Sequence, residues 1–335
     1  MTDSHLVSVI MSTYNANPEH LRQAISSILK QTYQNFELII VNDGSTTINP
    51  EEIIKSFSDV RIIYIHMEEN QGLTKCLNVA LDHCRGDFIA RMDDDDIALP
   101  TRLEKQVEFL RDNPEANIVG SYVEYFGEKT GIHVVKMDDD REKQQIRFLF
   151  SNTAIPHPTA MIRRDFLIRY NIRYNEKYKK AQDYALWVDC VKYSKIDCLP
   201  EVLLKYRVHK KQISSKGRSE QTFYNEMIKL DQLKALGVPM DKNQKETHLA
   251  FCRMAPDLRI KDTENWIRYL KRFNREHDLF DHAKFVDVIN SHWLFTCYNN
   301  IIDHRNYKFV WPLLKTVRPK NIKSFISNYF RRNAH

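Results

Sequence analysis

Residues 87–100 read Asp-Phe-Ile-Ala-Arg-Met-Asp-Asp-Asp-Asp-Ile-Ala-Leu-Pro. The first six, DFIARM, form a mostly apolar run of strand length, and it ends in four consecutive carboxylates, Asp93–Asp96. A run of acids is usually a solvated loop. This one abuts a strand and passes directly into Ile97-Ala98-Leu99-Pro100, so it is pinned within the fold. Adjacent carboxylates repel one another, a cost that a bound cation offsets. In extended backbone Asp93 and Asp95 point the same way. One or two carboxylate oxygens, with water and phosphates completing the shell, suit Mg²⁺ or Mn²⁺. The stretch therefore predicts a metal-dependent site for a phosphorylated ligand, a nucleotide above all.

The flanking chain alternates between strand and helix signals. Leu6–Met11, Phe36–Val41, Arg61–Ile65, Asp87–Met92 and Ile118–Phe126 read as strands. Pro18–Lys30, Pro50–Phe57, Leu73–Cys84 and Pro100–Leu110 read as helices between them. Strands separated by such helices predict an α/β fold, a parallel sheet wound by right-handed crossovers. Beyond about residue 130 the rhythm changes. A short strand (Ile132–Lys136), a helix (Arg141–Phe150), a strand (Thr159–Ile162), a helix (Tyr184–Tyr193) and a strand (Val202–Val208) follow. From Ser219 the pattern is helical and amphipathic, through Leu236 and again over Glu264–Phe273. The expected division is an α/β domain over 1–215 and a helical extension over 216–335.

Composition bounds the function. The 335 residues are 42% hydrophobic and 28% charged, as in a globular protein with ample chain for a core. No apolar run approaches the ~20 residues of a membrane span, and Met1–His5 lacks the cationic flank of a signal peptide. Six scattered cysteines without a C-x-x-C pair suit reduced thiols in a cytosol. The eight glycines form neither G-x-G-x-x-G nor a P-loop, which argues against a glycine-cradled dinucleotide. Charge is uneven. Residues 305–335 carry eight Lys or Arg and no acid, so the +6 of the chain leaves −2 for residues 1–304. The basic tail interleaves its cations with Tyr307, Phe309, Trp311, Phe325, Ile326, Tyr329 and Phe330. That mixture suits an anionic membrane surface, and no nucleic-acid-binding motif accompanies it.

In open parallel sheets ligands bind outside the carboxyl ends of the strands. The residues there are Ser12-Thr13-Tyr14-Asn15, Asn42-Asp43-Gly44-Ser45 and Asp93–Asp96. At this point the sequence resembles the family 2 glycosyltransferases, whose catalytic domain has the GT-A fold. The resemblance spans Val7 to about Ser215. It rests on VSVIMSTYN (7–15), LIIVNDGST (38–46), NQGLTKCLN (70–78), ARMDDDD (90–96), IPHPTAMIRR (155–164), AQDYALW (181–187) and LPEVLLKYRVH (199–209), in that order.

The resemblance implies an inverting transferase that moves a hexose from a UDP-sugar to an acceptor hydroxyl. By matching positions Thr13 and Tyr14 line the nucleotide pocket and Asp43 bonds the uracil. Asp93 faces the ribose or the metal, Asp95 coordinates Mn²⁺ or Mg²⁺, and Asp94 joins them on the nucleotide. Asn70 and Lys75 fall where the family contacts the nucleotide, although a helix cap and a solvent-facing lysine would read the same. Asp183 is the expected general base, an inverting displacement needing a carboxylate beside the acceptor hydroxyl. Gln182 stands where the family usually has Glu, on the acceptor side. Arg207 is expected near the pyrophosphate and His209 near the metal. His157, between Pro156 and Pro158, reads either as an acceptor contact or as part of a turn. The implied acceptor is a glycan, or a saccharide on undecaprenyl diphosphate, used in capsule, polysaccharide or lipopolysaccharide O-antigen assembly at the inner face of the cytoplasmic membrane. Two other readings compete: a sugar-nucleotide nucleotidyltransferase, disfavoured because Ser12–Asn17 is neither glycine-rich nor basic, and a non-catalytic nucleotide-sugar-binding protein, disfavoured by Asp93, Asp95 and Asp183.

Overall fold

The computed structural model describes residues 5–209 and 218–316. The chain opens with β1 (Val7–Thr13), α1 (Pro18–Leu29), β2 (Phe36–Asn42), α2 (Pro50–Lys55), β3 (Ile62–His66), α3 (Leu73–His83) and β4 (Phe88–Met92). Next come β5 (Ile97–Ala98), α4 (Arg102–Asp112), β6 (Ile118–Gly127), β7 (Gly131–His133) and α5 (Arg141–Phe148). A 3-10 turn (His157–Thr159) leads into β8 (Met161–Arg163), α6 (Arg164–Arg169), α7 (Gln182–Cys190) and β9 (Asp197–Val208). Helices follow: α8 (Arg218–Ala235), α9 (Lys242–Arg253), α10 (Ile260–His277), α11 (His282–Ile302), a 3-10 turn (Tyr307–Phe309) and α12 (Val310–Thr316).

The described residues fall into two units. One holds the chain up to Arg141 with Ala154–Tyr224, the other Glu142–Thr153 with the chain from Asn225. Helix α5, expected in the α/β part, thus belongs with the later helices, and the division near residue 215 falls instead after Tyr224. Of the basic tail, Arg318, Lys320, Lys323, Arg331 and Arg332 lie outside the described residues.

In the first unit the sheet order is β3-β2-β1-β4-β8-β6-β9-β5, with β7 on β6. Strands β3, β2, β1 and β4 are parallel, as the alternating pattern predicts. The sheet is mainly parallel, as expected, but mixed beyond them: β8 runs antiparallel to β4 and β6, and β5 antiparallel to β9. β1, β2 and β4 are buried along almost their whole length, which is why they read as continuous apolar runs. Val7, Val9 and Met11 share a core with Leu21, Ile25 and Ile28 of α1 and Leu103, Val107 and Leu110 of α4. Helix α1 starts where it does because Asn17 accepts from the Glu19 and His20 amides and Pro18 needs no partner for its nitrogen.

The second unit is helical. Ile146, Leu149 and Phe150 share a core with Phe251 of α9, Trp266 and Leu270 of α10, and Ile289 and Trp293 of α11. Sequence periodicity misses α11 because its apolar residues surround much of its circumference. Among the described residues no helix is long and apolar enough to cross a membrane. All six cysteines are free thiols.

One polar network joins β1, β2 and the lead into β4. Glu37, 3% exposed, accepts from Ser8 Oγ (2.7 Å) and the Arg85 amide (2.8 Å), and its other oxygen takes Arg85 Nε and Nη2 at 2.8 and 2.6 Å. Burial opposes the charge, but these bonds hold the carboxyl below its usual range. Glu37→Gln is expected to cost about 1–3 kcal/mol at neutral pH. The folded value is depressed, so this stability is present above the unfolded value of ~4.3 and lost as pH falls through the folded one. Denaturant unfolding of both proteins at neutral pH and at about pH 3 checks the sign: the gap closes in acid, and a gap that persists there would contradict the assignment.

Candidate active site

Because β2, β1 and β4 are adjacent and parallel, their carboxyl ends open on one edge of the sheet. Thr13 ends β1 at 1% exposure, and Tyr14 beyond it is 48% exposed. Asn15 takes a positive φ of 48°, which asparagine tolerates better than most residues. Its Oδ1 accepts from the Thr46 and Thr47 amides (2.8 and 2.9 Å), fixing the loop that follows β2.

Asp43 sits at the end of β2 and is 2% exposed. Its carboxylate accepts from Asn70 Nδ2 (2.9 Å), the Gln71 amide (2.7 Å) and the Gly72 amide (3.0 Å). The structure therefore gives Asp43 a task the motif did not show: it anchors the segment that starts α3, and little of it faces solvent. Gly44 next to it has φ +65°, and a Cβ there would lie 2.6 Å from the Glu69 carbonyl carbon. Asn70 is exposed, serving Asp43 rather than capping α3, whose N-cap is Gly72. Lys75 pairs with Glu176 at 3.6 Å on the surface.

The acid run after β4 is gathered rather than splayed. Asp93, Asp95 and Asp96 each place a carboxylate oxygen within 4.8 Å of the others. Asp96 is 1% exposed; one oxygen accepts from the Arg207 amide (2.8 Å), and the other, Oδ2, is buried with no protein partner. Burial, and then the neighbouring carboxylates, raise Asp95 above the usual carboxylate range and Asp96 well above it. Asp94 is pushed up to about 7, by burial first and then by Asp95, while the Thr13 hydroxyl beside it acts the other way. An all-oxygen donor set, crowded with negative charge and with one oxygen unpaired, fits Mg²⁺ or Mn²⁺.

Two guanidinium groups missed in the sequence lie under this cluster. Arg91, 3% exposed within β4, donates Nη2 to Asp93 Oδ1, while its Nε and Nη1 are buried without an acceptor. Arg102, fully buried at the start of α4, donates Nη2 to the Arg91 carbonyl at 2.7 Å. The signal for Arg91 was available: it is the one charged residue in an otherwise apolar buried strand.

Pairing of β5 with β9 brings Arg207 and His209 to the acids. Arg207 donates Nε to the Asp95 carbonyl (2.7 Å) and Nη2 to Gln23 Oε1 (2.6 Å), and stacks over Phe126. It clamps the acid loop. His209 Nε2 lies 2.9 Å from Asp95 Oδ2. The three acids that converge are thus Asp93, Asp95 and Asp96, with His209 holding Asp95 from outside the triad.

Asp183 is the second residue of α7, half-buried, and its Oδ1 takes the Tyr184 amide at 2.8 Å. Ala181 is the N-cap. Burial raises the Asp183 carboxyl, with the charge of Asp93 acting the same way and that of Arg91 opposing it. Gln182 stands before it as the first helical residue. His157 is 8% exposed, with Nε2 2.8 Å from the Tyr174 hydroxyl and its ring edge-on to Trp187. Burial, and then Arg91, hold it well below the ordinary histidine value. His157 thus sits in the 3-10 turn, held by Tyr174 and packed on Trp187. Asn78 missed notice too: it grips both the amide and the carbonyl of Tyr174, at 3.1 and 2.9 Å.

Removing one charge from the triad tests its composition. Asp96→Asn keeps an acceptor for the Arg207 amide and relieves repulsion, so the protein without metal should be as stable as the wild type or more so. Mn²⁺ should raise the melting temperature of the wild type. In the variant its affinity should fall about ten- to a hundredfold. Calorimetric titration with Mn²⁺ measures this, and equal affinity would remove Asp96 from the site.

Residues 8–170 match the profile of Glycosyl transferase family 2. The uncharacterized glycosyltransferase MJ1057 of Methanocaldococcus jannaschii is 38% identical over 211 residues, 62% of this chain and 72% of its own. The O-antigen biosynthesis glycosyltransferase WbnJ of Escherichia coli is 31% identical over 214 residues, 62% of this chain and 81% of its own. The crystal structure of S. aureus TarS 1-349 in complex with UDP-GlcNAc shares the fold, with a TM-score of 0.60 at 17% identity, over 90% of this chain and 88% of that one. In a longer TarS chain the matched part is 54%. The fold is the GT-A fold, a mostly parallel sheet flanked by helices and followed by C-terminal helices. The protein belongs to glycosyltransferase family 2 and is a glycosyltransferase.

Proposed function

We propose that this enzyme transfers a hexose from a UDP-sugar to a hydroxyl of a lipid-linked glycan, with inversion at the anomeric carbon, in the assembly of a surface polysaccharide. The observation that carries the reading is the cluster of Asp93, Asp95 and Asp96 carboxylates at the carboxyl edge of β4, with one Asp96 oxygen buried and unpaired. A leaving diphosphate needs the fixed positive charge that such a cluster would hold, and an attacking hydroxyl needs a carboxylate base, the part given to Asp183 of α7. The kind of acceptor is supported by the O-antigen relative, and the donor by the UDP-GlcNAc complex of the fold neighbour.

In this mechanism the uridine lies against Thr13 and Tyr14 and the segment that Asp43 anchors through Asn70, with Asp94 and Lys75 toward the nucleotide. Asp95 and Asp93, with Asp96, would hold Mn²⁺ or Mg²⁺. When bound, the cation supplies fixed positive charge opposite the pyrophosphate, where negative charge develops. Arg207 and His209 keep the acid loop in place. Asp183, in its ionised form, takes the proton of the acceptor hydroxyl as that oxygen bonds to the anomeric carbon. The bond from that carbon to the diphosphate oxygen breaks, and its electron pair leaves with UDP. The position of Asp183 in the first turn of α7 favours the charged carboxylate, against the burial that raises it. With a lipid-linked acceptor the reaction belongs at the inner face of the cytoplasmic membrane.

Release of UDP from a panel of UDP-sugars, with Mn²⁺ and with EDTA, tests the reading. One sugar should be hydrolysed slowly without acceptor, and EDTA should stop it. Asp183→Asn should lower kcat by about 10²–10⁴ with the donor KM little changed. The base must be ionised, so activity rises with pH through the Asp183 value, and the acid limb should lie above the ~3.9 of a free aspartate. Silence across the panel together with no UDP binding, or an Asp183→Asn enzyme at full turnover, would overturn it.

A further inference from the structure

The end of the described chain shows a face that no part of the transfer chemistry uses. The turn Tyr307–Phe309 and α12 bury Phe309 (1% exposed) and Pro312, and the Phe309 ring lies 6.2 Å from Trp293 of α11. The segment is therefore docked along one side. Its other side presents Tyr307, Val310, Trp311 and Leu314, which are 70%, 38%, 65% and 61% exposed. Their spacing of i, i+3, i+4 and i+7 puts them on one helical stripe. Single exposed apolar residues are ordinary, but a contiguous stripe of four, two of them aromatic, marks a surface that meets something apolar.

The charges around the stripe state what kind of apolar partner. Arg305, Lys308 and Lys315 flank it and are exposed. Lys315 Nζ lies 5.4 Å over the Trp311 ring, an ammonium carried along an aromatic face toward water. After Asp303 the sequence has no acid, while 305–335 supplies eight cations. A second copy of this chain would bring a like-charged stripe against this one, and repulsion disfavours that pairing. A nucleic-acid backbone would meet the cations but leave Val310 and Leu314 without use. An anionic bilayer offers both phosphates and a hydrocarbon boundary, the place that Trp and Tyr favour.

We infer that the stripe Tyr307–Val310–Trp311–Leu314 docks on an anionic lipid surface, with Trp311 and Leu314 at the headgroup boundary and Arg305, Lys308 and Lys315 on lipid phosphates. This goes beyond the transfer reaction, and its test needs neither donor nor acceptor.

The test exploits the tryptophans. Trp187, Trp266 and Trp293 are 1%, 3% and 3% exposed, so contact quenching by lipid reads Trp311 alone. The full chain is mixed with phosphatidylglycerol/phosphatidylcholine vesicles carrying brominated acyl chains, and with phosphatidylcholine vesicles alone. Quenching and a blue shift are expected on the anionic vesicles, weakening with salt. Sedimentation with the vesicles should fall at least about tenfold for Trp311→Ala/Leu314→Ser, and by a similar factor for Lys308→Gln/Lys315→Gln at low salt. All four positions are exposed, and circular dichroism checks that the variants fold. Three results would each overturn the inference: no quenching with wild-type protein, variants that sediment like the wild type, or a dimer in sedimentation velocity that Trp311→Ala/Leu314→Ser abolishes. Binding of single-stranded RNA in preference to the anionic vesicles would overturn it as well.

Discussion

Four carboxylates at the end of one buried strand repel one another, and much of the first unit is arranged around that repulsion. Arg91 enters the otherwise apolar strand β4 to reach Asp93. Arg102 lies fully buried behind it, bonded to the Arg91 carbonyl. On the other side Arg207 and His209 hold Asp96 and Asp95. Even so, burial and mutual repulsion keep Asp95 and Asp96 above the usual carboxylate range, and an oxygen of Asp96 has no protein partner. A divalent cation would relieve that crowding, and under the proposed function the same charge would receive the diphosphate.

The remainder of the site follows from topology. Parallel neighbours β2, β1 and β4 put the Asp43 loop, Thr13 and the acid run on one edge. The antiparallel contact of the two-residue strand β5 with β9 closes the acid loop from the other side. Asp43 anchors the Asn70–Gly72 segment through its carboxylate. His157, Tyr174 and Asn78 form a buried, neutral framework around which the segment before α7 is laid, and α7 carries Asp183. In this arrangement many of the polar residues in the motifs hold other segments in place: Asn15 the loop after β2, Asp43 the start of α3, and Asn78 the backbone of Tyr174.

What was legible in the sequence divides along local and non-local lines. β1, α1, β2, α3 and β4 were readable because burial on both faces of a strand, or on one stripe of a helix, leaves a periodic trace. β5 and the direction of β8 were not, because they are set by partners distant in the chain: Ala98 pairs with Leu204, and Ile89 with Ile162. The same limit governs the site. Asp93 and Asp95 stand out by spacing alone, whereas Asp96 joins them because the Arg207 amide, brought by β9, turns it inward. His157 looked like a loop residue between prolines, but the contact that buries it, Tyr174, comes from elsewhere in the sequence. Arg91 carried its own signal, a cation among buried apolar neighbours. In α11 no stripe exists to be read, since apolar side chains lie around most of the helix.

Under the proposed function the acid triad serves a nucleotide diphosphate through a divalent cation. The most direct measurement is the affinity of the wild-type protein for UDP by calorimetry, with saturating Mn²⁺ and then with EDTA. Thermodynamic linkage makes the coupling reciprocal, so UDP should bind about tenfold or more tighter with Mn²⁺. Equal affinity in the two conditions would contradict it, and the triad would then be a structural knot of acids with no part in holding the donor.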